Sequence, residues 1–310
     1  FINNIQVLVI LKNVKICVIG IGNWGLNHVK TLFSLNISIG CVDSDLNKLQ
    51  KIKSSFPDAK YFSSIEESFH DNFDGYIIAT PPSTHYEICD HFLRRGTNVF
   101  CEKPLVTDIE EAEKLYEVAH KTGAKLFTDW TFTYNYAVRR LKQEYDAGLL
   151  GKIESISMHR YNVNITHIVD GTTCKWDLAC HDVSIVQYLV GEKPVQVDWT
   201  EYSKRMNGPD SAFGIVTYPN FAATINVSWV YGDKFRECVF DFENATVIWD
   251  DKTQKMTYYT KAESHSHREE TVDYASFPSP LENSISNFLS DDFSDTNKII
   301  TLQTLEILED

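Results

Sequence analysis

Basic residues are scarce. The 310-residue chain has 29 Lys and Arg against 43 Asp and Glu, a formal net charge of −14. That balance speaks against a nucleic-acid or anionic-membrane partner, since both recruit clustered Lys and Arg. A local basic pocket would still suffice for an anionic substrate. Long apolar runs are also missing. The stretch Ile5–Leu11 is far short of the ~20 residues a membrane-spanning helix needs. It has neither a basic leader nor a small-residue cleavage site, so no secretory signal is expected, and residues 1–12 read as an extension before the first strand. There is no C-x-x-C pair, and the seven cysteines are scattered singly. Several lie in apolar runs, where a free thiol acts as a small hydrophobe. A reduced, cytoplasmic protein is the expectation. His265 and His267 are too few ligands for a metal site, and no metal is expected.

What is present starts at Val14–Ile19, a short apolar run that reads as a buried parallel strand. It ends in Gly20, Gly22 and Gly25, spaced G-x-G-x-x-G, and Leu26, Val29, Leu32 and Phe33 follow at helical spacing. Strand, tight turn and helix form the setting in which this spacing binds a dinucleotide. Gly20 allows the sharp turn, Gly22 lets a pyrophosphate approach the backbone, and Gly25 lets helix and strand pack closely. Asn23 and Trp24 occupy the same turn. The next apolar run, Ile37–Val42, ends in Asp43, where a carboxylate can accept both ribose hydroxyls and repel a 2′-phosphate. No Arg occurs among residues 44–46, so NAD is expected over NADP.

Apolar runs and helical patterns alternate through residue 130, which implies a doubly wound parallel sheet over residues 13–130. Ligands on such sheets sit beyond the carboxyl ends of the strands. One such end is Thr80-Pro81-Pro82-Ser83-Thr84-His85, where the prolines force a turn and Ser83 or Thr84 can cap the next helix. Thr80, Pro81 and Pro82 are expected over the cofactor. His85 can serve the site or be held structurally by the loop. Another end is Cys101-Glu102-Lys103-Pro104, a charged pair directly after a buried strand. Lys103 can hold its ammonium near the nicotinamide and a substrate oxygen, and Glu102 can pair with it or orient it.

These three segments, in this order and spacing, resemble the Gfo/Idh/MocA oxidoreductases. The resemblance implies a Rossmann domain followed by an α/β domain with a larger sheet, oxidation or reduction of sugars and polyols, and a catalytic-site role for Lys103. It also implies that the C-terminal helices, around 281–309, pack back on the first domain.

Residues 131–310 read as the substrate-binding and oligomerisation domain. A connecting helix precedes consecutive strands with short turns, which argue for a mostly antiparallel sheet. One face of that sheet suits a homodimer or homotetramer interface. The apolar spacing makes 176–190 a helix, placing Asp177 and His181 on one face at i, i+4. An imidazole there can take a hydroxyl proton, and the D-x-x-x-H pattern also matches the family's second motif. Trp176–Asp182 together with Gly22–His28 is similar to the branch acting on nucleotide-linked sugars at carbon 3. Arg160, Asn162, Asn164 and Trp176 are then substrate contacts. Related sequences often carry His where Asp129-Trp130 stands, which weakens the substrate assignment. A free-sugar or inositol-type dehydrogenase and a non-catalytic NAD-binding regulator remain open.

Overall fold

The computed structural model describes residues 14–163, 172–261, 267–271 (backbone), 277–290 and 295–310. The expectations placed on residues 1–12, Asn164, His265 and the His267 side chain lie outside the described residues.

The chain divides into two compact units. One holds the described residues through Asp129 together with Leu281–Lys298, and the other holds Trp130–Pro280 and Ile299–Asp310. The first unit is built on β1 (Lys15–Ile19), β2 (Ser38–Val42), β3 (Lys60–Phe62), β4 (Gly75–Ile78), β5 (Asn98–Cys101) and β6 (Leu126–Thr128). All pair in parallel, in the order β3-β2-β1-β4-β5-β6. β1, β2, β4 and β5 are buried along most of their length, as expected of strands covered on both faces. The connecting helices are α1 (Asn23–Ser34), α2 (Leu46–Ile52), α3 (Ile65–Ser68), α4 (His85–Leu93) and α5 (Ile109–Thr122). Their limits follow local chemistry. The Asp108 side chain accepts the Glu110 and Glu111 N–H groups at the start of α5, and Gly123, at φ +75°, ends it. Thr84 precedes α4 but does not cap it. Its hydroxyl donates instead to the Pro81 carbonyl at 2.7 Å.

The second unit carries α6 (Tyr136–Asp146), β7 (Ile153–Tyr161), a π-turn at Lys175–Ala179 running into α7 (Cys180–Val190), and β8 (Gln196–Tyr202). After these come β9 (Ser211–Thr217), β10 (Ala222–Ser228), β11 (Phe235–Phe242), β12 (Ala245–Asp250), β13 (Lys255–Thr260) and β14 (His267–Thr271). The sheet order is β14-β13-β12-β11-β7-β10-β9-β8, antiparallel except for the β7–β10 pair. That pair is parallel because the chain leaves β7 through α7 and returns to it by way of β8 and β9.

The C-terminal helices, α8 (Pro280–Leu289) and α9 (Thr296–Glu309), are divided. Phe288 packs on Phe100 and Phe127 in the first unit, and the Asn297 amide bonds both the N–H and the carbonyl of Thr128 at 2.9 Å. Beyond Lys298 the helix belongs to the second unit, where Thr301 accepts the Trp130 indole at 2.8 Å and the Ile307 carbonyl accepts Trp199 at 2.8 Å. Only α8 and the opening of α9 therefore go with the first unit, because two tryptophans of the second hold the rest.

The β8–β9 connection is tied by buried Asp210, whose carboxylate accepts the N–H groups of Lys204, Arg205 and Met206 at 2.7–3.0 Å. Burial would raise its pKa, but these donors outweigh burial and hold it below the ordinary carboxylate range. Its stabilisation is therefore present above the unfolded value of about 3.9 and lost as pH falls through the lower folded value. Asp210→Ala is expected to cost about 3 kcal/mol at neutral pH. In urea titrations the gap from wild type should narrow in strong acid.

Candidate active site

In the first unit, Gly20 sits at φ +87°, and a Cβ there would lie 2.7 Å from the Ala79 carbonyl oxygen. A Cβ on Gly25 would come within 1.8 Å of the Gly20 oxygen. These two glycines are required by the protein's own packing. Gly22 is not, because its Cβ would meet no protein atom within 4 Å. Gly22 is the N-cap of α1, makes no side-chain cap bond, and is followed by a first turn without an acidic residue. The exposed turn Gly22-Asn23-Trp24 thus offers open space and uncompensated helix N–H groups, which suits a pyrophosphate.

Asp43, buried at the end of β2, accepts the Ile21 N–H on Oδ2 at 2.7 Å and the Asp45 N–H on Oδ1 at 2.8 Å. The carboxylate shapes the glycine turn and keeps acceptor capacity for ribose hydroxyls. Sequence reasoning missed Lys48, one helical turn on, whose ammonium is 3.3 Å from Asp43 Oδ2. Open glycine turn, helix start and carboxylate together fit NAD. Asp43→Ser combined with Ser44→Arg is expected to shift preference toward NADP, with Lys48 adding to the new positive charge. Dissociation constants for the two cofactors test this, and equal wild-type affinities would refute the role of Asp43.

At the end of β4, Thr80 and Thr84 share a hydroxyl bond at 2.7 Å, which closes the turn through Pro81 and Pro82. His85 is fully buried. Its Nδ1 lies 2.9 Å from the Pro104 carbonyl oxygen and its Nε2 2.9 Å from that of Thr80. Burial lowers its pKa. The ring lies between two loops, and in the neutral form that burial favours one of its nitrogens donates to one of these two carbonyls.

At the end of β5, Glu102 is buried and accepts from His28 Nε2 on Oε1 at 2.7 Å and from the Lys103 N–H on Oε2 at 3.2 Å. Burial pushes its pKa up, but His28 and Lys103 outweigh burial and hold it below the usual range. Glu102 thus takes the Lys103 N–H on one oxygen and His28 on the other, and the Lys103 charge also helps to hold it ionised. Lys103 is half-buried and precedes a cis Pro104. Among the described residues, His28, Glu102 and Asp129 bring potential metal-ligand atoms within 4.8 Å of one another. Their arrangement is that of hydrogen bonding, since Glu102 meets His28 and Asp129 Oδ1 accepts from Ser284 at 2.7 Å.

In the second unit, Asp177 lies in the π-turn and His181 at the start of α7, both half-buried, as is Trp176. The wider turn accommodates one residue more than an α-turn, a feature frequent at functional sites. Asp177 Oδ2 accepts the Trp229 indole N–H at 2.8 Å, and the His181 ring meets the Phe132 ring edge-on at 4.9 Å. Neither partner was legible from spacing, because each lies about fifty residues away in sequence.

Arg160, expected to meet substrate, points into the protein. It is 2% exposed and donates from Nε and Nη2 to Asp182 Oδ1 at 2.8 and 2.6 Å. Burial raises the Asp182 carboxyl, against the opposing pull of Arg160. The guanidinium also lies 4.4 Å from the Phe132 ring. Asp182 is thus half of a buried ion pair. The inward parity of position 160 on β7 explains the placement, since Ile156 and Met158 point the same way. Asn162 accepts from Arg236 Nη2 at 3.0 Å. Trp130, where relatives often have His, is fully buried and bonded to Thr301, so its ring serves the core.

Among the described residues no helix is long and apolar enough to cross a membrane. The chain matches an oxidoreductase family with an NAD-binding Rossmann fold over residues 14–129, and that family's C-terminal domain over 138–248. Inositol 2-dehydrogenase of Rhizobium meliloti is 27% identical over 42% of this chain and 40% of its own length. Myo-inositol 2-dehydrogenase of Thermotoga maritima is 25% identical over 59% and 57%. The matched stretch thus spans about half the length of these relatives. Two solved structures share the fold across 96% of this chain. One is UDP-N-acetylglucosamine 3-dehydrogenase GnnA from Acidithiobacillus ferrooxidans, with TM-score 0.83, 22% identity and 95% of that chain covered. The other is the WlbA dehydrogenase from Bordetella pertussis in complex with NADH and UDP-GlcNAcA, with TM-score 0.78, 18% identity and 94% covered. With both domains matched, an α/β fold of parallel and mostly antiparallel sheets, and a glycine turn suited to NAD, the chain belongs to the Gfo/Idh/MocA oxidoreductase family.

Proposed function

We propose that this chain is an NAD-dependent dehydrogenase acting on a ring CH–OH of a nucleotide-linked sugar, at carbon 3. Bound NAD supplies the hydride acceptor. His181 takes the hydroxyl proton, Lys103 stabilises the developing alkoxide, and Asp177 holds a neighbouring hydroxyl or orients His181. Asn162 and Trp176 are substrate contacts in the same proposal. The observation that carries it is the half-exposed Asp177–His181 pair, with Asp177 held by Trp229.

The 3-dehydrogenase GnnA and WlbA share the fold over nearly the whole chain, which supports the nucleotide-sugar reading. The inositol dehydrogenases among the sequence relatives support a second, a cyclic polyol as substrate. The test is to identify the nucleotide that co-purifies, then follow the nicotinamide absorbance band with UDP-N-acetylglucosamine, its uronate and myo-inositol. Reduction with the UDP sugars alone supports the first reading, and with myo-inositol alone the second. NAD binding without turnover on any of them would favour a regulator. Self-association through the second sheet belongs to the same proposal, with light scattering as its test.

A further inference from the structure

Two buried histidines of the first unit take no part in the chemistry proposed above, yet each ends beside Lys103. His28, on α1, has no exposed surface, and its ring meets Phe100 edge-on at 5.5 Å. Its Nε2 donates to one oxygen of Glu102 at 2.7 Å while the other oxygen accepts the Lys103 N–H at 3.2 Å. His85, the first residue of α4, contacts the carbonyl of Pro104 on one side and that of Thr80 on the other, each at 2.9 Å. The residue before Lys103 is thus tied to the helix that follows the glycine turn. The residue after it is tied to the helix that follows the Thr-Pro-Pro turn. Burying a carboxylate and two imidazoles is costly unless they bond to one another, and apolar side chains would fill the same space at lower cost. What the polar ties add is direction, because each fixes one backbone position relative to one helix.

We propose that His28 and His85 are positioning residues that brace the Lys103 backbone from both sides, so that the three loops expected to meet the cofactor set the place of one ammonium group. The inference rests on the reading of Lys103 as the group that stabilises the alkoxide. Small displacements of such a group are expensive, with an ångström costing as much as about a hundredfold in rate.

The test uses the full chain with NAD and whichever sugar or polyol proves to be turned over. His28→Leu and His85→Leu are expected to lower kcat about tenfold or more, with KM and NAD affinity within about threefold of wild type. His28→Gln, which keeps a donor toward Glu102, is expected to recover most of the loss. In a Lys103→Met background the same Leu substitutions should cost little further in kcat, because their effect passes through Lys103. Equal fold-losses in both backgrounds would reduce the histidines to general structural roles and overturn the proposal. So would a Gln variant that restores the melting temperature but not kcat. If the Leu variants do not fold, Glu102→Gln and His85→Asn decide the two halves, and wild-type kcat in both would overturn it. Full turnover in Lys103→Met alone would instead overturn the function proposed above.

Discussion

Lys103→Met is expected to lower turnover by about a hundredfold or more while leaving NAD affinity near that of wild type. The Met side chain keeps the apolar stem and approximate length, so the half-buried position stays filled. The backbone stays in place as well, since the Lys103 N–H still donates to Glu102 and the Pro104 carbonyl still meets His85. What disappears is the ammonium. The developing alkoxide loses its nearest proposed cation, a loss felt in the transition state more than in the ground state, so kcat should fall more than KM rises. Glu102 also loses one of the positive charges that hold its pKa down, while the His28 bond continues to keep it ionised. Lys103→Arg restores charge with a different shape and should recover only part of the rate. Turnover at saturating NAD and substrate, together with a separate cofactor titration, separates these effects. Unchanged turnover would remove Lys103 from the mechanism.

His181→Ala is expected to cost a comparable factor, about a hundredfold to ten-thousandfold, and to change the pH profile as well. A base must be unprotonated to accept the hydroxyl proton, so wild-type kcat/KM should decline as pH falls through the titration of His181. The Ala variant lacks that group and should show a flattened acid limb over the same range. Phe132, edge-on to the ring at 4.9 Å, loses a packing neighbour, which should show as a modest drop in melting temperature. The companion Asp177→Ala discriminates its two proposed roles. A rise in KM means that the carboxylate holds a substrate hydroxyl, and a fall in kcat means that it orients His181. In either case Trp229 is left without its acceptor at 2.8 Å. A full-rate His181→Ala enzyme with an unaltered pH profile would overturn the assignment of the base.

Much of the first unit was legible because its signals are local. Buried parallel strands read as continuous apolar runs, and β1 and β2 lie within a residue of the runs that predict them. The glycine turn was legible from its spacing, although the Gly20 requirement also comes from Ala79 at the end of another strand. The helix over 176–190 was legible from apolar spacing, but its π-turn was not, since one extra residue in a turn leaves the apolar pattern nearly unchanged. β14 has a polar sequence without an apolar run to announce it, and pairing with β13 supplies its hydrogen bonds.

The site divides along the same line. Which residues are proposed to carry chemistry was readable from the chain: Gly22 at a helix start, Asp43 at a strand end, Lys103 after a buried strand, and Asp177 with His181 four residues on. What those side chains touch was decided only by the tertiary structure. Arg160 turned inward to Asp182, Glu102 paired with His28, Trp130 entered the core, and His85 bridged two loops. The physical reason is that helix and strand patterns depend on neighbours a few residues apart. The partner of a buried polar group is set by whichever group the fold brings within hydrogen-bond reach, in these cases from 5 to 171 positions away.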